Sequence, residues 1–262
     1  MLSKGVVEDM HDPREGVTSD GLIRTGAALG AIGSTWTPVL QAAIGAVAGR
    51  ASLYVYGSVA TGCAVISRSD VDLLSIGLSP REAERISTDL SGRFSEVCRE
   101  VSIAPAGWDG LTADDDEGYG LRVFLRHYCV HLAGEDPAQG VPAFPADRRA
   151  ARGFNGDIAR HLQQWQLAAD DGADVAHLAT RIARKTLLAV AGLVSIRDST
   201  WTTNRRTSAS RWRQMEPGVP VDTLVEWLDA PPRDITAVQR VLDGPVTDVV
   251  ELFRLEIGLW NP

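Results

Sequence analysis

The chain is poor in cysteine, short of positive charge and without a long uninterrupted apolar run. Three cysteines, Cys63, Cys98 and Cys129, form no CxxC pair. An odd, scattered set suits a reducing compartment where thiols act as small apolar fillers, so no disulfide is expected and a cytoplasmic location is. Lys and Arg number 26 against 34 Asp and Glu, a formal net charge of -8. That balance argues against broad binding to nucleic acid or anionic membranes and favours cationic small molecules. The opening segment MLSKGVVEDMHDPREGVTSD has no apolar h-region and does not read as a signal peptide. Residues 1–20 read instead as a flexible leader. The apolar stretch AALGAIGSTWTPVLQAAIGAVAG is broken by Gly, Ser, Thr and Pro38, which excludes it as a membrane span. No repeat recurs at a fixed period.

What remains is an ordinary globular composition, 44% hydrophobic over 262 residues, enough for one large core or two smaller ones. Up to about Gly134 helix and strand patterns alternate. A helix is expected over 37–48, strands over 52–56, 71–76 and 100–104, and a helix opening at SPREAERISTDL, with Ser79 as N-cap, Pro80 in the first turn and Glu82 completing a capping box. LTADDDEGYG reads as a polar loop and GEDPAQGVPAFPADRR as a Pro/Gly-rich connector. Beyond it the pattern is wholly helical: 147–169, 174–194, 205–215, 220–229, and 234–259 with a break at Gly244-Pro245. The expected class is α+β, a domain over 21–140 built on a small mixed sheet flanked by helices, followed by a helical bundle over 141–262.

The chemistry concentrates in LYVYGSVATGCAVISRSDVDLL, residues 53–74. A strand rich in Leu, Ile and Val spends alternate positions on Asp70 and Asp72. Period-2 alternation puts both carboxylates on one face and Val71 and Leu73 on the other, so the acids are placed to share a divalent cation. Oxygen-only ligands favour a hard ion, magnesium. Gly57 lets the backbone approach a triphosphate, and Ser58 with the amides after it can hydrogen-bond its terminal oxygens.

Gly57-Ser58, a spacer, then Ser69-Asp70-Val71-Asp72 resembles the nucleotidyltransferase superfamily, whose third carboxylate lies on a neighbouring strand. In REVSIAPA that acid is Glu100, with Glu96 as the competing choice. The resemblance implies transfer of a nucleoside monophosphate from a triphosphate with two magnesium ions. Asp70 and Asp72 would be the metal ligands, Gly57, Ser58 and Ser69 would bind nucleotide, and Glu100 would be the proton acceptor.

A small nucleotidyltransferase domain followed by helices resembles, more narrowly, the aminoglycoside adenylyltransferases that modify streptomycin and spectinomycin. In ARKTLLAVAGLVSIRD, Arg184, Gly192, Arg197 and Asp198 fall at that family's spacing. The resemblance makes Arg184 and Arg197 triphosphate ligands, with arginine at 197 where lysine is common. In QWQLAADDGADVAHL, Trp165, Asp170 and Asp174 fall where substrate is met, and an indole with carboxylates suits a guanidinium or polycationic sugar. Without the resemblance, Trp165 reads as a core aromatic, Asp170 as a loop residue and Asp174 as an N-cap.

The expected activity is therefore adenylyl transfer from ATP to a hydroxyl of a small cationic acceptor, by a monomer, with neither membrane nor nucleic acid as partner. Two rivals stand beside it: a nucleotidyltransferase toxin acting on RNA or protein, served by the basic run TTNRRTSASRWR, and a module that senses nucleotide without turnover. His127, Cys129 and His131 lack a second ligand pair and read as junction residues, not as a zinc site.

Overall fold

The computed structural model describes residues 14–216 and 218–260. By their contacts these form two units. Thr25–Asp114 with Leu121–Phe144 make a sheet unit, and Asp115–Gly120 with the chain from Pro145 onward and the residues up to Arg24 make a helical one. The class is α+β.

The sheet unit holds helix α1 (Thr37–Val47), strand β3 (Ser52–Tyr56), a single turn α2 (Gly57–Ala60), strand β4 (Val71–Ile76), helix α3 (Pro80–Arg93), strand β5 (Val101–Ala106), the short helix α4 (Trp108–Thr112), most of helix α5 (Asp116–Tyr128), and strand β6 (Val130–Ala133). The strand order is β5-β4-β3-β6. β3 is antiparallel to β4 and β6, and β4 runs parallel to β5, so the sheet is mixed. Apolar side chains on both faces make it a middle layer. Leu53, Val55, Val71, Leu73 and Ile103 pack with α1 and α3, while Tyr54, Leu74 and Ile76 pack with Leu111 and Leu125. Each fully buried Val or Leu contributes about 1.5 to 3 kcal/mol.

α3 begins as its sequence requires: the Ser79 hydroxyl accepts from the Glu82 amide and Glu82 accepts from the Ser79 amide, at 3.3 and 3.1 Å. Its next two turns serve the sheet. Val101 N–H donates to Ser91 Oγ at 2.9 Å and Ile103 N–H to Ser87 Oγ at 3.0 Å. Four residues along a helix rise ~6.0 Å and two along a strand ~6.6 Å, so serines four apart can serve alternate strand residues.

The region expected as a polar loop is largely helical: α4 ends at Thr112, and α5 starts at Asp116. Gly118 and Gly120 weaken the helix signal there, and tertiary packing overrides it. A Cβ on Gly120 would lie 2.3 Å from the Gly153 carbonyl, so glycine is needed for two backbones to touch.

The helical unit contains a two-stranded hairpin, β1 (Gly16–Val17) with β2 (Ile23–Arg24), then α6 (Arg148–Asn155), α7 (Ile158–Asp170), α8 (Val175–Arg197), α9 (Arg205–Met215), α10 (Asp222–Glu226), α11 (Ile235–Val241) and α12 (Thr247–Glu256). Of the expected leader, residues 1–13 lie outside the described residues, Gly16 and Val17 are in the hairpin, and Glu15 accepts from Thr203 Oγ1 at 2.7 Å. The single helix expected over 147–169 is two, α6 and α7, split at Gly156, where a Cβ would meet Trp260 at 2.2 Å. α8 is the axis of the unit, with every residue from Ala189 to Ser195 buried. The break at Gly244-Pro245 is present, with Gly244 at φ -109°, ψ -108°. No helix among the described residues is long and apolar enough to cross a membrane.

His127, 9% exposed in the sheet unit, accepts the Phe144 N–H at Nε2 (2.8 Å). Burial first, then the Arg126 charge, pushes it down to about 4 from 6.5. Below pH 6.5 the unfolded chain therefore binds the extra proton, and stability is lost as pH falls through the window from 6.5 to about 4. The expected loss from this group is about 3 kcal/mol. Urea unfolding at pH 7 and pH 4.5 checks it, with a flatter dependence for His127→Gln; equal slopes would remove His127 from the account.

Candidate active site

β3 ends on Tyr56, and the chain then turns into α2 through Gly57 at φ +67°, a left-handed conformation that favours glycine. The turn closes directly onto β4: an added Cβ on Gly57 would sit 2.6 Å from Asp72 Oδ2. Gly57→Ala is accordingly expected to cost about 1 to 2 kcal/mol from the backbone alone and to displace the Asp72 carboxylate. Thermal melting should fall by a few degrees; an unchanged midpoint would mean that the turn relaxes without strain. The Ser58 carbonyl accepts from Cys63 and Ala64 amides at 2.8 and 3.1 Å, while its hydroxyl has no hydrogen-bond partner among the described residues.

Asp72 pairs in register with Tyr56 on one side and Ser102 on the other. Asp70 lies one residue before β4, and Glu100 one residue before the parallel β5. The Val71 amide donates to the Glu100 carbonyl at 2.8 Å, which sets the two strand heads side by side. The three acids thus lie at one end of the sheet. Glu96 is in the turn after α3, its carbonyl accepting from Ser67 Oγ at 2.8 Å. Ser69 ties the connecting loop, accepting the Val65 N–H at 2.9 Å.

One partner of this acidic end has no counterpart in the sequence reading. Arg99 forks onto Asp70, Nε to Oδ1 at 2.8 Å with Nη2 on Oδ2. Asp70 foremost, then Glu100 and Asp72, hold the guanidinium above its usual range.

Among the described residues no group of three or more His, Cys, Asp or Glu side chains could hold a metal by itself, His127, Cys129 and His131 included. Magnesium usually takes one or two carboxylates and completes its shell with water and substrate phosphates. Hard oxygens on Asp70 and Asp72, the Gly57 turn that places no Cβ of its own against Asp72 Oδ2, and a guanidinium standing as cation against Asp70 fit that ion.

In the helical unit, Arg184 and Trp165 line one cavity of about 200 Å³ together with His161, Arg181, Lys185 and Arg205. Lys185 is neutralised by Asp157 at 2.7 Å. Arg181, Arg184 and Arg205 have no carboxylate partner among the described residues. Burial, and then the Arg184 charge, lowers the Arg205 guanidinium below its usual range. Such a cavity calls for an anion.

Arg197, expected beside Arg184, lies elsewhere: Nε donates to Glu256 at 3.0 Å and Nη1 to Glu216 at 3.1 Å, with the guanidinium over Trp212. Gly192 packs on Phe253, and Asp198 pairs with Arg211. Asp174 caps α8, accepting the His177 amide at 2.7 Å; Trp165 is 2% exposed and stacked on His161; Asp170 is exposed at the end of α7. The remaining arginines of the basic run are paired, Arg206 with Asp229, Arg211 with Asp198 and Arg213 with Asp222. Arg99 is what the sequence reading missed, hinted at only by basicity beside Glu100, whereas Arg205 was legible only as part of the basic run TTNRRTSASRWR.

No family model and no curated protein matches the chain. A solved structure does, that of spectinomycin adenyltransferase AAD(9) from Enterococcus faecialis with ATP and spectinomycin, at a TM-score of 0.52 and 9% identity over 84% of this chain and 98% of that one. At that identity the likeness speaks for architecture alone, and the chain shares the overall fold of that solved structure.

Proposed function

We propose that the chain is a magnesium-dependent adenylyltransferase that moves AMP from ATP to a hydroxyl of a small cationic acceptor such as an aminoglycoside. The observation that carries the reading is the sheet end itself, where a glycine turn in the left-handed region abuts Asp72 while Asp70 and Glu100 head adjacent parallel strands.

In the proposed reaction the acceptor oxygen attacks the α-phosphorus, the bond to the bridging oxygen breaks and pyrophosphate leaves. Glu100 takes the hydroxyl proton. Asp70 and Asp72 would hold the ion, which when bound supplies neutralisation of charge on the phosphoryl oxygens. The Ser58 hydroxyl and the amides after it are donors for terminal phosphate oxygens. In the helical unit Arg184 is the proposed phosphate ligand, with Arg205 beside it in the same cavity. Arg197 can join them only by giving up Glu216 and Glu256.

On the acceptor side Asp170 offers an exposed carboxylate to a cation. Asp174 and Trp165 would act chiefly by holding the α7–α8 turn, given the cap and the burial described above. The paired arginines of the basic run favour a small acceptor over RNA, and Glu100 at a strand head favours turnover over sensing.

The test is incubation with each nucleoside triphosphate, magnesium and a panel that includes streptomycin and spectinomycin, reading product masses. Addition of AMP to one acceptor supports the proposal. Absence of nucleotide addition to every acceptor, together with no measurable ATP binding, overturns it.

A further inference from the structure

Arg99 is poorly explained as a support for the fold. Its side chain is 58% exposed and that of Asp70 22%, and pairs so placed contribute little to stability. Yet the geometry is specific: both carboxylate oxygens of Asp70 are taken by one planar fork, which leaves the guanidinium where a metal ion bound to that carboxylate would stand. The Arg99 amide donates to the Ser69 carbonyl at 3.1 Å, so the backbones of the two residues are tied next to each other and the pair forms without a long reach. Asp72 and Glu100 also act on the guanidinium. Three acids gathered at one sheet end repel each other, and Arg99 is a counter-charge the chain itself provides.

We propose that Arg99 is a positioning residue that guards the metal site: it holds Asp70 in the nucleotide-free protein and passes to phosphate oxygens when a metal–triphosphate complex arrives. The inference rests on the adenylyltransferase reading and adds an order of events to it. A divalent ion alone must break the fork without compensation. The metal with its triphosphate offers the freed guanidinium a better anion, since phosphate accepts the same bidentate donors. Metal and nucleotide therefore bind with positive coupling, and the coupling is carried by one side chain. If the fork is closed nine-tenths of the time, the apparent metal affinity is lowered about tenfold, the usual cost of a competent state populated one part in ten.

Full-length protein, Arg99→Met and Arg99→Lys are compared for Mn2+ binding by electron paramagnetic resonance, alone and with a non-hydrolysable α,β-methylene analogue of ATP. Wild type is expected to bind Mn2+ weakly alone and about tenfold more tightly with the analogue. Arg99→Met should bind Mn2+ alone about five- to tenfold more tightly than wild type, lose most of the analogue's effect, and bind the analogue itself more weakly. Arg99→Lys should fall between, because a point charge keeps attraction but not the fork. Unchanged or weakened Mn2+ binding in Arg99→Met, with analogue binding intact in wild type, overturns the guarding role and leaves the proposed activity standing. Failure of wild type to bind the analogue at any Mn2+ concentration overturns both.

Discussion

Asparagine at position 72 is expected to reduce pyrophosphate release by on the order of 10³-fold or more, because a bound divalent ion is worth several kcal/mol of transition-state charge stabilisation. The amide keeps the shape of the carboxylate and lies at the sheet end, outside both apolar clusters, so the fold should survive. It also keeps the close approach to Gly57, and what it loses is charge and one hard ligand oxygen. Asp70→Asn should behave alike, with one difference that marks its partner: Arg99 loses its fork along with the metal. Release of pyrophosphate, followed with a coupled phosphate assay, and circular dichroism on the same samples separate chemistry from folding. Near-normal turnover in either variant would remove these acids from the reaction.

Glutamine in place of Glu100 should lower turnover roughly 10²-fold while largely sparing ATP–magnesium affinity, as expected when a proton acceptor is removed and charge neutralisation is not. Glu100 is exposed and its side chain supports no element, although its carbonyl is held by Val71. Single-turnover kinetics with parallel nucleotide titration give the readout. An equal loss of nucleotide affinity would make Glu100 a metal ligand. Undiminished turnover would shift the role to Glu96, even though that residue sits in the turn after α3 with its carbonyl bound by Ser67.

The parts of the molecule that the sequence disclosed are those encoded by neighbouring residues. β3 and β4 follow from short apolar runs, the start of α3 from a capping box, and the break before α12 from Gly244-Pro245. Asp70, Asp72 and Glu100 were legible for the same reason, since strand alternation and register translate spacing into position. α5 was hidden because Gly120 serves a contact with Gly153, 33 residues on, and β6 because one buried residue followed by three half-exposed ones carries no alternation. The charges were the least legible. Arg197 lies at the spacing of a phosphate ligand but is held by Glu256, 59 residues away, while Arg205 reaches the Arg184 cavity from the basic run TTNRRTSASRWR, whose other arginines are paired. Which anion an arginine meets is decided by tertiary contacts, which spacing along the chain does not record.

The two serines of α3 have a consequence for the protein as one copy among many. β5 is an edge strand, and in its parallel ladder with β4 the bonds of Glu100 and Ala106 point inward, which turns Val101, Ile103 and Pro105 outward. Ser91 and Ser87 occupy the first two amides and proline has none, so each outward donor of the strand is either occupied or deleted. An incoming strand would find no N–H there to accept from, which disfavours peptide addition and the stacking of copies on that edge. At the β5 edge an apolar sheet is in this way made a poor template for its own kind.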